Sequence, residues 1–395
     1  MSNEDIPKGF LISTAEAAIK KPGRRDMTVI YSTVRAHAAG VFTKNTVKAA
    51  PVIIDMERIS AGYGRAVLVN SGNANACTGK KGMADALKIS ATLAKALKIP
   101  GSEVFICSTG VIGTPLPMSR IIPMIPQLAG NMGKSTLLDA ANAIMTTDTF
   151  PKLFSTGMKF GKTQATLSAI AKGSGMICPN MATMLSFAIT DAAIETGALK
   201  EALLAAVNDT FNSITVDGQM STNDTLIVLA NGLAGNAPIG QGSREFKSFQ
   251  KTLTEAFSHL SDMIVKDGEG ATKFITVEVK GAPDSESARA VAGKIADSPL
   301  VKTAIYGHDA NWGRIMAAMG TSDVHFDPLR VDIYFNKAKV VKNGLSADND
   351  SAATEVLKEK EIHITVNLNM GKKAAKVRTC DLTEGYIRIN AEYRT

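Results

Sequence analysis

The sequence has few aromatic residues and no long apolar run. Aromatic side chains make up 5% of the 395 residues, and there is a single tryptophan. No run approaches the roughly 20 consecutive apolar residues that a membrane-spanning helix needs. The first ten residues include acidic side chains and lack the apolar core of a secretory signal. We therefore expect a cytoplasmic protein without a membrane partner.

Cysteine pairs are also missing. No cysteine forms a C-x-x-C pair, and no histidine lies at a zinc-like spacing from any of the four, which are Cys77, Cys107, Cys178 and Cys380. This spacing argues against a zinc site and favours buried free thiols in a reducing compartment. Cys178 has no neighbouring histidine that could act as its base, so we predict a structural role for it.

Motifs of several other functional classes are absent. The sequence has no glycine-rich phosphate loop, no H-E-x-x-H helix and no G-x-S-x-G elbow. The net charge is +7, but the lysines are scattered. Their densest patch, Lys372, Lys373 and Lys376, has no accompanying series of aromatic residues for base stacking. The charge therefore indicates a solvated surface, and we expect no nucleic-acid partner.

Apolar periodicity indicates an α/β protein. Hydrophobic residues make up 45% of the chain and charged residues 21%, as in ordinary globular proteins. The length suggests two domains or one large domain. The pattern predicts helices at 83–97, 135–145, 198–211, 246–264 and 285–296, with Asp284 or Ser285 as the cap of the last. It predicts strands at 66–69, 103–107, 164–171, 184–190, 274–279, 331–335, 362–368, 376–380 and 386–389, which makes the last third rich in strands.

A glycine- and proline-containing bend, KGSGMICPNMATML, occupies residues 172–185 between two of these strands. Its hydroxyl residue Thr183 is set among apolar neighbours. A threonine hydroxyl needs a base to act as a nucleophile, and its own α-amine is one known base. Because Thr183 is internal, the Ala182–Thr183 peptide bond would first have to break. The alternative is a threonine that only packs at the start of a strand.

The bend resembles the self-cleavage motif of the ornithine acetyltransferase family, also called glutamate N-acetyltransferase. Further segments resemble motifs of that family in order and spacing, so the resemblance covers nearly the whole chain. They are GVFT at 40–43, VNSGNANAC at 69–77, STGVIG at 108–113, TTD at 146–148, DGEGAT at 267–272, GHDANWGR at 307–314 and NAEYRT at 390–395.

The resemblance implies a layered helix–sheet sandwich of the ornithine acetyltransferase type. It also implies self-cleavage into fragments 1–182 and 183–395, the second beginning with the nucleophile Thr183. Thr109 and Gly110 are expected to form the oxyanion hole. The substrate-binding residues implied are Thr147, Lys172, Thr183, Glu269, Asn390 and Thr395. Without the resemblance, Thr109-Gly110 would be a turn, and Lys172 and Glu269 would be solvated surface charges.

The reaction implied is a ping-pong transfer of an acetyl group from N2-acetyl-L-ornithine to L-glutamate, in arginine biosynthesis. It requires neither a metal nor an organic cofactor. Lys172 would hold substrate carboxylates, and Glu269 would hold the ornithine side chain. The two fragments would stay together as an α2β2 heterotetramer. The segment Gly307–Arg314, with Asn73 and Asn75, is expected to support the site, either near it or as a buried polar loop.

Three alternatives stay open at this stage. The first is a bifunctional member of the same family that also accepts acetyl-CoA, or a relative used in secondary metabolism. The second is a related self-cleaving aminopeptidase, in which water resolves the acyl-enzyme. The third is a non-catalytic amino-acid-binding protein that keeps the fold without cleavage.

Overall fold

The structure, a computed structural model, describes residues 6–178 and 184–392. These residues form two compact units. The first contains residues 6–173, 184–212 and 220–264, and the second contains 174–178, 213–219 and 265–392. Each unit combines a β-sheet with helices, which confirms the predicted α/β class. Within the described ranges, no helix is both long and apolar enough to span a membrane.

The first unit contains an eight-stranded sheet. Its strands are β1 (Phe10–Ala15), β2 (Met27–Phe42), β3 (Tyr63–Asn73), β4 (Val104–Val111), β5 (Lys152–Phe160), β6 (Thr163–Lys172), β7 (Leu185–Thr190) and β8 (Thr225–Ala230). The order is β4-β3-β2-β8-β7-β6-β5, with β1 paired to β2. The pairs β3–β4 and β7–β8 are parallel, and the other pairs are antiparallel.

Helices cover both faces of β3 and β4. The helices of this unit are α1 (Ala50–Arg58), α2 (Gly79–Leu97), α3 (Met118–Gly130), α4 (Leu137–Ile144), α5 (Thr196–Asp209) and α6 (Arg244–Lys266), the last two residues of which belong to the second unit. Val67 and Phe105 share a buried cluster with α4, whereas Leu68 and Ile106 share one with α1, α2 and α3. Strands covered on both faces are apolar without alternation, which explains the uninterrupted burial from Ala66 to Val69.

Strands from the two sides of the predicted cleavage bond alternate in this sheet. β7 and β8 follow residue 183 in the chain, yet they lie between β2 and β6, which precede it. Hydrogen-bonded pairs join β8 to β2 and β7 to β6. The predicted fragments 1–182 and 183–395 therefore differ from the two compact units, because the first unit draws on both.

The second unit contains a six-stranded sheet with the order β12-β11-β10-β13-β9-β14. Its strands are β9 (Phe274–Ala282), β10 (Asp332–Phe335), β11 (Ala338–Lys342), β12 (Leu345–Ser346), β13 (Glu361–Asn367) and β14 (Lys373–Cys380). Its helices are α7 (Ser285–Asp297), α8 (Pro299–Tyr306), α9 (Trp312–Met319), α10 (Asp350–Val356) and α11 (Glu384–Ala391). Side chains of β9, β13 and α7 share one apolar core, which includes Val277, Ile364 and Val291.

Most of the predicted elements are present. The predicted cap of α7 is confirmed, because the Asp284 side chain accepts from the Ser287 N–H. The predicted strand at 386–389 is wrong, because these residues lie in α11. Thr383 caps that helix by accepting from the Gly385 N–H, and Ile387 remains largely exposed. Its apolar side chains therefore mark neither a buried strand nor a core.

Candidate active site

The predicted bend is framed by strands of the first unit. Lys172 ends β6 and is the Cα partner of Leu185, which begins β7. Leu185 is in turn the partner of Thr225, the first residue of β8. Ala182 and Thr183, the predicted cleavage pair, lie outside the described residues. Lys172, Leu185 and Thr225 thus lie side by side at the ends of three neighbouring strands, next to the segment that contains the predicted cleavage bond.

Lys172 contacts the predicted oxyanion hole. Its ammonium donates to the Thr109 Oγ1 atom at 3.2 Å. Both side chains are buried, with 5% of Lys172 and 8% of Thr109 exposed, so the alternative of a solvated lysine is wrong. Because Thr109 accepts this bond, its own hydroxyl proton can still be donated to another acceptor. The structure therefore brings together two predicted site residues that are far apart in the sequence.

A buried carboxylate, Asp148, lies beside this pair. It accepts from the Lys152 ammonium at 2.8 Å and from the Gly173 N–H at 2.7 Å. Burial opposes ionisation, but the charges of Lys172 and Lys152 and the hydrogen bonds lower the pKa of Asp148 to about 2. It is therefore ionised at neutral pH. The predicted substrate residue Thr147 directly precedes Asp148 in the loop between α4 and β5, and it is half-buried.

Gly110 occupies a position that only glycine fits. Its φ is +134°, and a Cβ atom built there would lie 2.3 Å from the Gly72 carbonyl carbon. The parallel pairing of β3 with β4 produces this close approach, since Gly72 and Gly110 are partners. A backbone that lacks a side chain can come close to a ligand, which agrees with the predicted oxyanion role.

Replacing Gly110 with alanine is expected to damage both folding and acetyl transfer. The added methyl group would push the ends of β3 and β4 apart and displace the adjacent Thr109 hydroxyl. We expect a transfer rate about 10²–10³-fold lower, as when one oxyanion donor is lost, together with a lower free energy of unfolding. Denaturant titration and initial rates measure the two effects. Gly101→Ala is the control, because nothing lies within 4 Å of its Cβ position, and equal behaviour of the two variants would contradict the assignment.

Buried asparagines hold the loops around this site. Asn223 donates to the carbonyl oxygens of Ala74 and Ser108, at 2.6 and 2.8 Å. Asn73 accepts from the Asn75 N–H and donates to the Thr114 carbonyl. The supporting role expected for Asn73 and Asn75 thus corresponds to a network that fixes the chain after β3 and β4.

The second unit brings together two other predicted substrate residues. Asn390 donates from Nδ2 to the Glu269 Oε2 atom at 2.8 Å. Glu269 is only 8% exposed, so the alternative of an ordinary exposed glutamate is wrong. A Cβ atom at Gly175 would lie 2.3 Å from the Glu269 carboxyl carbon, so the absence of a side chain there makes room for this carboxylate. Thr395, the remaining predicted contact, lies outside the described residues.

The Asp217 side chain holds part of the predicted bend in place by hydrogen bonds. Its two carboxylate oxygens accept from the N–H groups of Met176 and Ile177, at 2.6 and 3.0 Å. The Tyr386 hydroxyl donates to the same carboxylate at 3.3 Å. Burial and the Asp217 charge raise the pKa of Tyr386, so this phenol remains protonated. All these residues belong to the second unit.

The solvent exposure of several residues contradicts two expectations, one for the segment Gly307–Arg314 and one for the cysteines. Gly307–Arg314 is not a buried polar loop, because His308 and Asp309 are exposed in the turn between α8 and α9. There Asn311 caps α9 by accepting from the Arg314 N–H. The prediction of buried thiols is wrong for two of the four cysteines, because Cys77 is exposed and Cys178 is only partly buried. In the described residues, no group of three or more acidic, histidine or cysteine side chains is arranged to hold a metal ion.

Sequence reasoning missed several polar residues that organise the site. Asp148 was noted only as part of a motif, and Asp217, Asn223 and Asp224 were not singled out. One signal was available. Asp217 and Asp224 lie in the segment between a helix and the apolar run at 226–230. Acidic residues so close to the core are rarely buried unless they are paired.

Comparison with known proteins identifies the family. Residues 11–395 match the ArgJ family. The arginine biosynthesis bifunctional protein ArgJ of Geobacter sulfurreducens is 51% identical over 390 residues, which span 98% of this chain and 99% of the relative. The protein of the same name from Caldanaerobacter subterraneus is 50% identical over 396 residues, spanning 99% of this chain and 98% of the relative.

A solved structure gives the same result. The crystal structure of ArgJ from Bacillus halodurans is 46% identical, with a TM-score of 0.51. It covers 53% of this chain and 99% of its own. These findings confirm the predicted resemblance and the assignment to acyltransferase enzymes. The chain belongs to the ArgJ family.

Proposed function

We propose that the chain transfers the acetyl group of N2-acetyl-L-ornithine to L-glutamate by a ping-pong mechanism, after cutting itself between Ala182 and Thr183. The contact of the Lys172 ammonium with the Thr109 hydroxyl, beside Gly110, is the observation that carries this proposal. It supplies a cation for substrate carboxylates and a hydroxyl donor for an oxyanion within one buried site. Family membership supports the same reaction.

Self-cleavage would create the nucleophile. The Thr183 hydroxyl oxygen attacks the Ala182 carbonyl carbon, the C–N bond breaks, and water hydrolyses the resulting ester. The new α-amine of Thr183 then takes the hydroxyl proton in each turnover, which is the known activation of an N-terminal threonine.

Acetyl transfer would follow in two steps. The Thr183 oxygen attacks the acetyl carbonyl, and the oxyanion is stabilised by the Thr109 hydroxyl and the Gly110 N–H, each donor contributing about 2.7–4 kcal/mol. Ornithine leaves with the proton. The glutamate amine then attacks the threonine ester and carries the acetyl group away. The buried Lys172 ammonium, which donates to Thr109, would supply the positive charge that attracts a substrate carboxylate.

Labelled acetyl transfer tests the proposal. The full chain, incubated with N-acetylornithine labelled on the acetyl group, should label glutamate and release ornithine in equal amounts. If labelled acetate is released instead while glutamate is present, the result would contradict acetyl transfer and favour hydrolysis, as in a related aminopeptidase. If the chain stays uncut and binds the amino-acid substrates tightly without turnover, the result would favour a non-catalytic binding protein instead.

A second acetyl donor is part of the proposal. The relatives are named bifunctional proteins, which favours acetyl-CoA as an additional donor to glutamate. The same assay with labelled acetyl-CoA measures this activity. We also propose that the two fragments remain associated as an α2β2 heterotetramer.

Glu269 is expected to select ornithine. Glu269→Gln keeps an oxygen for Asn390 and removes the charge that would pair with the ornithine side-chain ammonium. The loss of a charged hydrogen bond, about 1.5–3 kcal/mol, should raise the KM for N-acetylornithine by about 10–100-fold and leave the KM for glutamate unchanged. Kinetics with each substrate varied in turn measure both values.

Glu278→Gln is the matched control. Glu278 lies on β9 of the second unit, is as buried as Glu269, and forms ion pairs with Lys280 of β9 and Lys376 of β14. We expect it to change neither KM. An equal rise in both KM values for Glu269→Gln would contradict a specific role in ornithine binding.

A further inference from the structure

Asp224, a carboxylate of the first unit, has no role in the reaction described so far. It directly precedes β8 and is completely buried. Its Oδ1 atom accepts from the Met184 N–H at 3.1 Å. Its Oδ2 atom makes no hydrogen bond with any residue of 6–178 or 184–392. A buried polar atom without a partner is costly, so a functional reason for this one is needed.

The surroundings of Asp224 favour a basic carboxylate. Burial raises its pKa well above the ordinary value, and the Met184 N–H, the Lys172 charge and the nearby hydroxyls of Thr43 and Ser221 only partly oppose this. Lys172, on β6, is the charged group that acts on it. The Thr43 hydroxyl is also close, but it donates its single proton to the Ser221 carbonyl at 2.7 Å. A carboxylate whose pKa lies closer to neutrality is a more effective proton acceptor.

We propose that Asp224 is the proton-transfer group of the self-cleavage step. Met184, whose N–H Asp224 accepts, is joined to Thr183 by a single peptide bond. This hydrogen bond holds the Asp224 carboxylate at the residue that adjoins the proposed nucleophile in the chain. The inference rests on the proposed function, because it requires Thr183 to be the nucleophile.

The uncut chain needs such a group. Before cleavage the nitrogen of Thr183 is an amide, which cannot accept the hydroxyl proton. Asp224 Oδ2 takes that proton as the Thr183 oxygen bonds to the Ala182 carbonyl carbon. It then gives the proton to the Thr183 nitrogen as the C–N bond breaks. The products are the ester, the free amine and the regenerated carboxylate, and no further reactant is consumed before water hydrolyses the ester.

The rate of chain splitting as a function of pH tests the inference. The full-length chain is made in a cell-free translation system with a pulse of radioactive amino acid. It is then chased at pH values on both sides of neutrality, from about 5.5 to about 8.5, and chain splitting is followed on denaturing gels. Wild type should split faster as the pH rises, because Asp224 must be ionised. Asp224→Asn should split about 10²-fold more slowly or worse, without this pH dependence, and Asp224→Glu should restore it.

Asp191→Asn is the matched control. Asp191 is buried in the same unit, and its carboxylate accepts the N–H groups of Thr166 and Lys8, but it follows the opposite end of β7. This variant should split like wild type, with the same pH profile. Circular dichroism of each purified variant verifies that it is folded.

Several results would overturn the inference. One is Asp224→Asn splitting at the wild-type rate, and another is slow splitting with the wild-type pH profile, which would indicate a structural role. A pH-independent wild type would overturn it even if Asp224→Asn does not fold. In each of these cases wild type still splits and transfers acetyl, so the proposed function survives. A wild type that neither splits nor transfers refutes the proposed function itself.

Discussion

Thr183→Ala is expected to leave the chain uncut and to abolish acetyl transfer. Without the hydroxyl, nothing at this position can attack the Ala182 carbonyl, so denaturing mass spectrometry should find one chain of 395 residues. Wild type should give two fragments that separate between Ala182 and Thr183. Because no acetyl ester can form, we expect transfer to fall by about 10⁴-fold or more, as when other enzymes lose their nucleophile.

Two companion variants make this result specific. Thr183→Ser keeps a hydroxyl and should still split and transfer, at lower rates. Cys178→Ala removes the partly buried thiol that is nearest to Thr183 in the sequence and should behave like wild type in both assays. Splitting of Thr183→Ala at the same bond would show that another group is the nucleophile.

Lys172→Met is expected to impair stability and catalysis together. The methionine fills similar space but leaves the Thr109 hydroxyl without its donor and removes one of the two cations beside Asp148. Breaking a buried charge network by removing one partner costs about 3–5 kcal/mol of unfolding free energy. The KM values of both substrates should rise, because each carries a carboxylate. Denaturant unfolding and steady-state kinetics measure these effects.

Lys152→Met separates the two effects. Lys152 is also completely buried and bonded to Asp148, whereas Lys172 is the lysine that donates to Thr109. Lys152→Met should lose stability comparably, but its KM values should rise less than those of Lys172→Met, because the Lys172 ammonium is retained. Equal catalytic defects in the two variants would contradict the assignment of Lys172 to substrate carboxylates.

The acid sensitivity of Lys172→Met follows from Asp148. A carboxyl whose pKa is lower in the folded chain stabilises the fold above its ordinary value of 3.8, and this contribution is lost as the pH falls through about 2. Removing the Lys172 charge raises that pKa toward the ordinary value. The variant should therefore gain less stability from Asp148 at neutral pH, and what remains should be lost at a higher pH than in wild type.

Periodic segments were predictable from the sequence because their burial follows the chain locally. The apolar stripe from Phe246 to Ile264 corresponds to the buried face of α6. The alternation at 164–171 corresponds to β6, although this strand is buried at every residue from Leu167 onward. The strand predicted at 386–389 is wrong because four residues are too few to distinguish the period of a strand from that of a helix, and the cap at Thr383 that begins α11 lies before them.

Much of the site depends on contacts that no local pattern contains. Lys172 and Thr109 are 63 positions apart, and Asp224 and Met184 are 40 apart. Motif resemblance indicated Lys172, Thr109 and Glu269, but it gave no sign that all three are buried. The carboxylates Asp148 and Asp224 are recognisable only when the fold brings lysine charge and buried backbone N–H groups to them.

The alternation of strands in the first sheet has a consequence for the cut protein. Because β7 and β8 lie between β2 and β6, the second fragment could leave the first only if two ladders of main-chain hydrogen bonds broke. This would expose the edges of four strands, β2, β6, β7 and β8, and exposed strand edges are prone to aggregate. The halves of different molecules should therefore not be interchangeable. If the chain is cut as proposed, the two fragments of one polypeptide should stay together, and a defective fragment should not exchange with a sound one from another molecule.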